Sequence, residues 1–146
     1  MAASIFERVA DEVKTALYNA VTGVGTRVER AREDAISADE GDTLNIVTLD
    51  NAQRTFSDEI DDNELSIGVS IYVRGDVWET KADAYAVLIH PLVMRRNYAA
   101  SGLRIARVRL TDQDWIADAG DATPGKRTLK YAFRFLTLAD DITKQP

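Results

Sequence analysis

Cysteine is absent from the chain. That removes disulfide frameworks, thiolate nucleophiles and cysteine-ligated zinc in one step, and it fits a protein made and kept in a reducing compartment. Histidine occurs once, at His90, so no histidine cluster exists to hold a metal, and a serine triad would have to use this one residue. Proline occurs only three times and glycine eight, and neither gathers into a linker, so a single domain over residues 1–146 is expected. Long apolar runs are missing as well. Nothing approaches the ~20 residues needed to cross a bilayer, and the opening MAASIFERVADEV sets Glu7, Asp11 and Glu12 among its apolar positions, unlike a secretory h-region. A soluble, unexported protein without a membrane partner is expected.

What is present is charge, and more of one sign. Aspartate and glutamate number 24 against 18 lysines and arginines, a formal charge of −6. Such a field favours solubility and repels phosphate backbones, so tight nucleic-acid binding is not expected. With 45% apolar residues the chain can build one core unaided.

Ser4 and Glu7 have the spacing of a capping box. From there Ile5, Val9, Val13, Ala16, Leu17 and Ala20 recur at helical intervals, with Gly23 and Gly25 placed to supply a left-handed stop. Strands are expected at residues 26–31 and 43–50, separated by a polar segment. After an acidic stretch over 57–64, Leu65, Ile67, Val69, Ile71 and Val73 alternate strictly with Ser66, Gly68, Ser70, Tyr72 and Arg74. Period two puts all five aliphatics on one face, which must pack on something, most simply the helices. Residues 77–94 return to helical spacing, but Pro91 lacks a donor and clashes one turn back, so a kink or restart near His90 is expected. Strands follow at 103–111 and 129–138, the latter with Leu129, Tyr131, Phe133 and Phe135 in phase, and 112–127 between them is expected as a long loop. The whole describes an α+β domain of order α-β-β-β-α-β-β: one mostly antiparallel sheet with both helices on one face, and a flexible end at 140–146.

Candidate chemistry is sparse. A histidine before a proline at a helix break is more often a structural hydrogen-bonder than a catalyst. Two carboxylate clusters stand out, Asp58, Glu59, Asp61, Asp62 and Glu64, and Asp112, Asp114, Asp118 and Asp121. Neither has the spacing that wraps calcium, and solvated acidic loops are far commoner. Gly23-Val24-Gly25 follows a helix, whereas a phosphate loop follows a strand and opens one. Arg104, Arg107 and Arg109 read first as a solvated strand edge that resists pairing, with salt bridges between subunits as the alternative. No cofactor or metal is expected, and the chain is expected not to be an enzyme.

Taken together, these features resemble the phage tail terminators, in particular the minor tail protein U type of lambda-like siphophages. The likeness rests on the element order, on Leu88-Ile89-His90-Pro91-Leu92-Val93-Met94 in the second helix, and on the stretch from Asp114-Trp115-Ile116 through Asp118 and Asp121 to the closing aromatic strand. A longer segment between the first two strands, a longer C-terminus, and Trp78 and Trp115 depart from the family pattern. The resemblance implies a structural virion protein at the head-proximal end of the tail, assembled in the host cytoplasm. It implies a homo-hexameric ring that caps the tail tube, stops polymerisation of the major tail protein and presents the surface for the head-completion or connector protein, with DNA passing through unbound. Asp58, Glu59, Asp61, Asp62, Asp112, Asp114, Trp115, Asp118, Asp121 and Arg127 are the expected partner contacts, chosen for the length and charge of their segments. Alternatives of other kinds are a head–tail connector or stopper, and a small hydrolase or isomerase using His90 with a carboxylate.

Overall fold

The computed structural model describes residues 2–34, 36–37, 39–117 and 124–146. Helix α1 spans Ile5–Leu17. The Ser4 hydroxyl accepts the Glu7 amide at 3.2 Å, which satisfies one orphan donor of the first turn. The Glu7 side chain does not complete the expected box; its carboxylate lies 2.9 Å from Arg30 instead. Ile5, Val9, Val13, Ala16 and Leu17 are buried, as their spacing predicts. The helix stops before Ala20, at an extended Tyr18 and not at a glycine. Gly23 serves the turn beyond, with φ +95°, and a Cβ there would lie 2.7 Å from the Tyr85 phenolic oxygen.

Strands β1 (Val28–Arg30), β2 (Thr43–Ser57) and β3 (Ile60–Val73) follow, then helix α2 (Trp78–Met94), a 3-10 turn at Tyr98–Ser101, and strands β4 (Arg107–Ile116) and β5 (Gly125–Leu138). Among the described residues these five strands form one sheet in the order β1-β2-β3-β5-β4. β1 runs parallel to β2 and the other pairings are antiparallel. The class is a mixed α+β fold with one five-stranded sheet and two helices.

Strand extents differ from expectation, and the lengthened strands share one physical reason. Residues 57–64, expected as a loop, form the end of a tight hairpin in which only Asp58 and Glu59 connect β2 to β3. Residues 112–127, also expected as a loop, are strand up to Ile116 and again from Gly125. Charged side chains do not end a strand whose backbone is paired by its neighbours, and here they meet partners across the ladder. Arg54 stands opposite Asp62, and Lys130 opposite Asp112. Conversely, β1 has three residues where six were expected, and β4 begins at Arg107, four residues after the expected Leu103. α2 runs through Pro91 to Met94 without restarting. The carbonyl that Pro91 cannot bond belongs to Val87, an exposed residue, where water can take it.

The core forms where the alternation of β3 says it must. Leu65, Ile67, Val69, Ile71 and Val73 are at most 1% exposed, and share one cluster with the apolar faces of both helices and with Leu129, Tyr131, Phe133 and Phe135 of β5. Phe6 meets Phe135 edge-on at 5.3 Å between centroids, and Tyr98 meets Phe133 at 5.6 Å, an arrangement that adds to the burial of each ring. Trp78 lies over Gly125, where a Cβ would fall 2.3 Å from the indole. Residues 140–146, expected to be flexible, make hydrogen bonds: the Ile142 carbonyl accepts the Ile5 amide at 2.8 Å, and the Gln145 amide group donates to the Arg104 and Leu136 carbonyls.

Candidate functional site

β1 covers only Leu44–Ile46 of β2. Beyond that the outer edge of β2 has no strand beside it among the described residues, and residues 48–57, paired on their other side with β3, are all exposed, ten in succession. Leu49 and Phe56 lie in this stretch at 44% and 64% exposure. Phe56 occupies a register irregularity between Thr55 and Ser57, a device that turns a side chain out of the ladder. Next to it, Asp58 and Glu59 form the exposed turn and have no ion-pair partner among the described residues. Asp61 accepts from Gln53 at 3.1 Å. Asp62 takes two hydrogen bonds from Arg134, at 2.8 and 3.2 Å, with Arg54 3.5 Å away. These bonds from Arg134 hold its carboxyl below the usual range.

The second group of expected contacts lies at the far end of the sheet. Trp115 is opposite Arg127, eleven residues along β5 from Leu138, the partner of Ile60, a separation of roughly 35 Å at ~3.4 Å per residue. The two groups therefore form two surfaces. Asp112 and Asp114 flank Lys130, with Asp114 at 2.8 Å, and those carboxylates raise the lysine pKa. Arg127 reaches Asp83 of α2 at 2.7 Å and Gln113 at 2.6 Å, and its guanidinium lies 4.9 Å from the centre of the exposed Trp115 ring. Asp118 and Asp121 lie outside the described residues.

The sheet face away from the core is a lattice of paired charges. Asp62 with Arg134, Glu64 with Arg109 at 3.0 Å, and Lys130 with Asp112 and Asp114 stand on it in rows. Ser70 and Thr128 share a buried hydrogen bond at 3.0 Å on the same face.

His90 faces Tyr131. Its Nδ1 shares a hydrogen bond of 3.0 Å with the phenol, and the two rings stack at 5.7 Å. Burial pushes the Tyr131 phenol up from its ordinary pKa. A groove of about 320 Å³ beside His90 is walled by Ala86, Val87, Pro91, Leu110 and Leu129, and Asp83 at its rim is engaged with Arg127. Among the described residues, no group of three or more His, Asp or Glu side chains is placed to hold a metal ion. Among them also, no helix is long and apolar enough to cross a membrane.

A second, larger groove of about 680 Å³ opens beside the Tyr98–Ser101 turn, lined by the apolar Met94, Ile105, Val108 and Leu136 and by Arg96, Arg104 and Arg107. Arg96 is tied to the buried Glu12 at 2.8 Å, and Arg104 hydrogen-bonds the Pro146 carbonyl. Sequence reasoning missed this groove and Phe56. The only available signals were an aromatic beside an acidic turn and an arginine repeat on β4. A scan against protein-family models finds none that matches this chain, and no curated protein sequence matches it.

Proposed function

We propose that this chain is a tail terminator, a structural subunit that closes a phage tail tube by assembling on it as a ring. The observation that carries the proposal is the outer half of β2: ten exposed residues with an open backbone edge and two exposed apolar side chains. A monomer gains nothing from such an edge, and an assembling subunit uses it for contacts with neighbours. The finer architecture fits the same purpose, with one mostly antiparallel sheet backed by two helices and leaving both edges to partners. Arm and turn residues Asp58, Glu59 and Phe56 would meet a neighbouring subunit, and Trp115 with Asp112 and Asp114 at the other end would meet the major tail protein or the head-completion protein. On the outward sheet face Arg134, Arg109 and Lys130 already hold carboxylates, which lowers its attraction for phosphate and suits a channel through which DNA slides. The product would be a homo-hexamer at the head-proximal end of the virion tail, assembled in the host cytoplasm.

The test is to add purified protein to assembling tail-tube subunits and measure tube length by negative-stain microscopy. Shortened tubes bearing a ring at one end are expected; tubes of unchanged length would defeat the proposal. A head–tail connector would retain purified head-completion protein in a pull-down while ignoring free tubes.

A further inference from the structure

We propose that the β2–β3 turn of one copy of this chain docks into the arginine-rimmed groove beside the Tyr98–Ser101 turn of a second copy. The inference deepens the ring reading and rests on it for closure.

The two surfaces complement each other in charge and in shape. The turn presents Asp58 and Glu59, both exposed and without ion-pair partners among the described residues, beside Phe56 at 64% exposure. The groove presents Arg107, exposed at the start of β4, whose side chain is likewise without a hydrogen-bond or ion-pair partner among the described residues, together with the apolar Met94, Ile105, Val108 and Leu136. Arg95, which ends α2 nearby, is also exposed and makes only a backbone bond, to the Pro91 carbonyl. At about 680 Å³ the groove has room for a phenyl ring and the turn that carries it. Seating Phe56 there would remove its apolar surface from water, and the aspartate and glutamate would lie against arginines that have no other anion.

The placement of these features decides the kind of contact. Ile60 pairs with Leu138, and the Ala106 amide bonds the Arg134 carbonyl at 2.8 Å, so turn and groove lie toward the same end of β5. They sit on opposite edges, the turn on the β2 side and the groove on the β4 side. The Glu59 carbonyl accepts the Ala139 amide at 2.8 Å, and Ile60 pairs with Leu138, so the backbone of the turn is held beside the end of β5 and a chain cannot swing it round into its own groove. A contact between two different patches on opposite edges repeats head to tail, and it closes into a ring when the rotation allows.

Light scattering of the whole chain over a concentration series tests this. The unaltered protein is expected to exceed monomer mass as concentration rises, and Phe56→Asp or Arg107→Glu to move that midpoint at least tenfold upward with circular dichroism unchanged. Mixing the two variants leaves one sound groove and one sound turn, so a heterodimer and nothing larger is expected. Because the chain has no native cysteine, oxidation of an Asp58→Cys, Arg107→Cys double variant gives a check that reads a bond gained, with Phe56, Glu59 and Arg95 kept: a ladder of disulfide-linked oligomers, where either single variant stops at dimers. Monomer throughout the series, variants that associate like the unaltered protein, or no ladder would each overturn the docking. Capped tubes together with unaffected association in the variants would remove the docking and leave the terminator function standing. Association through turn and groove with tubes of unchanged length would do the reverse.

Discussion

At Phe133 the physics is simple. The ring is fully buried between Tyr98 and the aliphatics of β3, and Phe133→Ala should lower stability by about 3–5 kcal/mol in urea unfolding. Its position was legible because period-two alternation needs only residue types. Asp62 was legible only as a charge: its partner Arg134 is 72 residues away in sequence, and β3–β5 pairing alone brings them together. That pairing carries a pH signature. Hydrogen bonds from Arg134 lower the folded-state pKa of Asp62, so the folded protein binds this proton less readily than the unfolded chain does. The resulting stability is fully present above the unfolded value of ~4 and disappears as pH falls through the lowered folded value. Asp62→Asn should therefore cost roughly 1 kcal/mol at neutral pH, and the gap to the unaltered protein should shrink in urea titrations taken toward pH 3.

Among the elements, the two helices and β3 follow from local periodicity, while the hairpin ends do not. Residues 48–57 of β2 and Asp112 to Ile116 of β4 carry polar residues on both faces, a pattern that a single-chain reading assigns to loops. Their strand character comes from the ladder with β3 and β5 and is invisible until those partners are known. The same difference changes what can be asked of the 112–127 segment. Cutting it out would remove paired strand as well as surface, so a point change is the cleaner probe. Trp115→Ser should cost no more than about 1 kcal/mol of stability, since the exposed indole gives up chiefly its contact with Arg127. Retention of tail-tube or head-protein binding at unaltered strength would strike Trp115 from the partner contacts.

For the molecule as a whole, β3 is the axis: paired along its length with β5, and by β2 on its other side. Amide hydrogen exchange should be slowest in Leu65 to Val73 and fast along residues 48–57 of the free protein. On assembled tubes the β2 edge should gain protection; exchange there that stays as fast as in the free protein would count against its use by a neighbour. The position of β5 in the chain has a further consequence, for synthesis. Of the described strands, the one that completes β3 is made last, with α2 and β4 made in between. Until it arrives, β3 has a bare inner margin and the groove lacks Leu136. A chain cut short before β5 thus has no finished groove, and on the docking proposed above it would offer a turn to its neighbours but no socket.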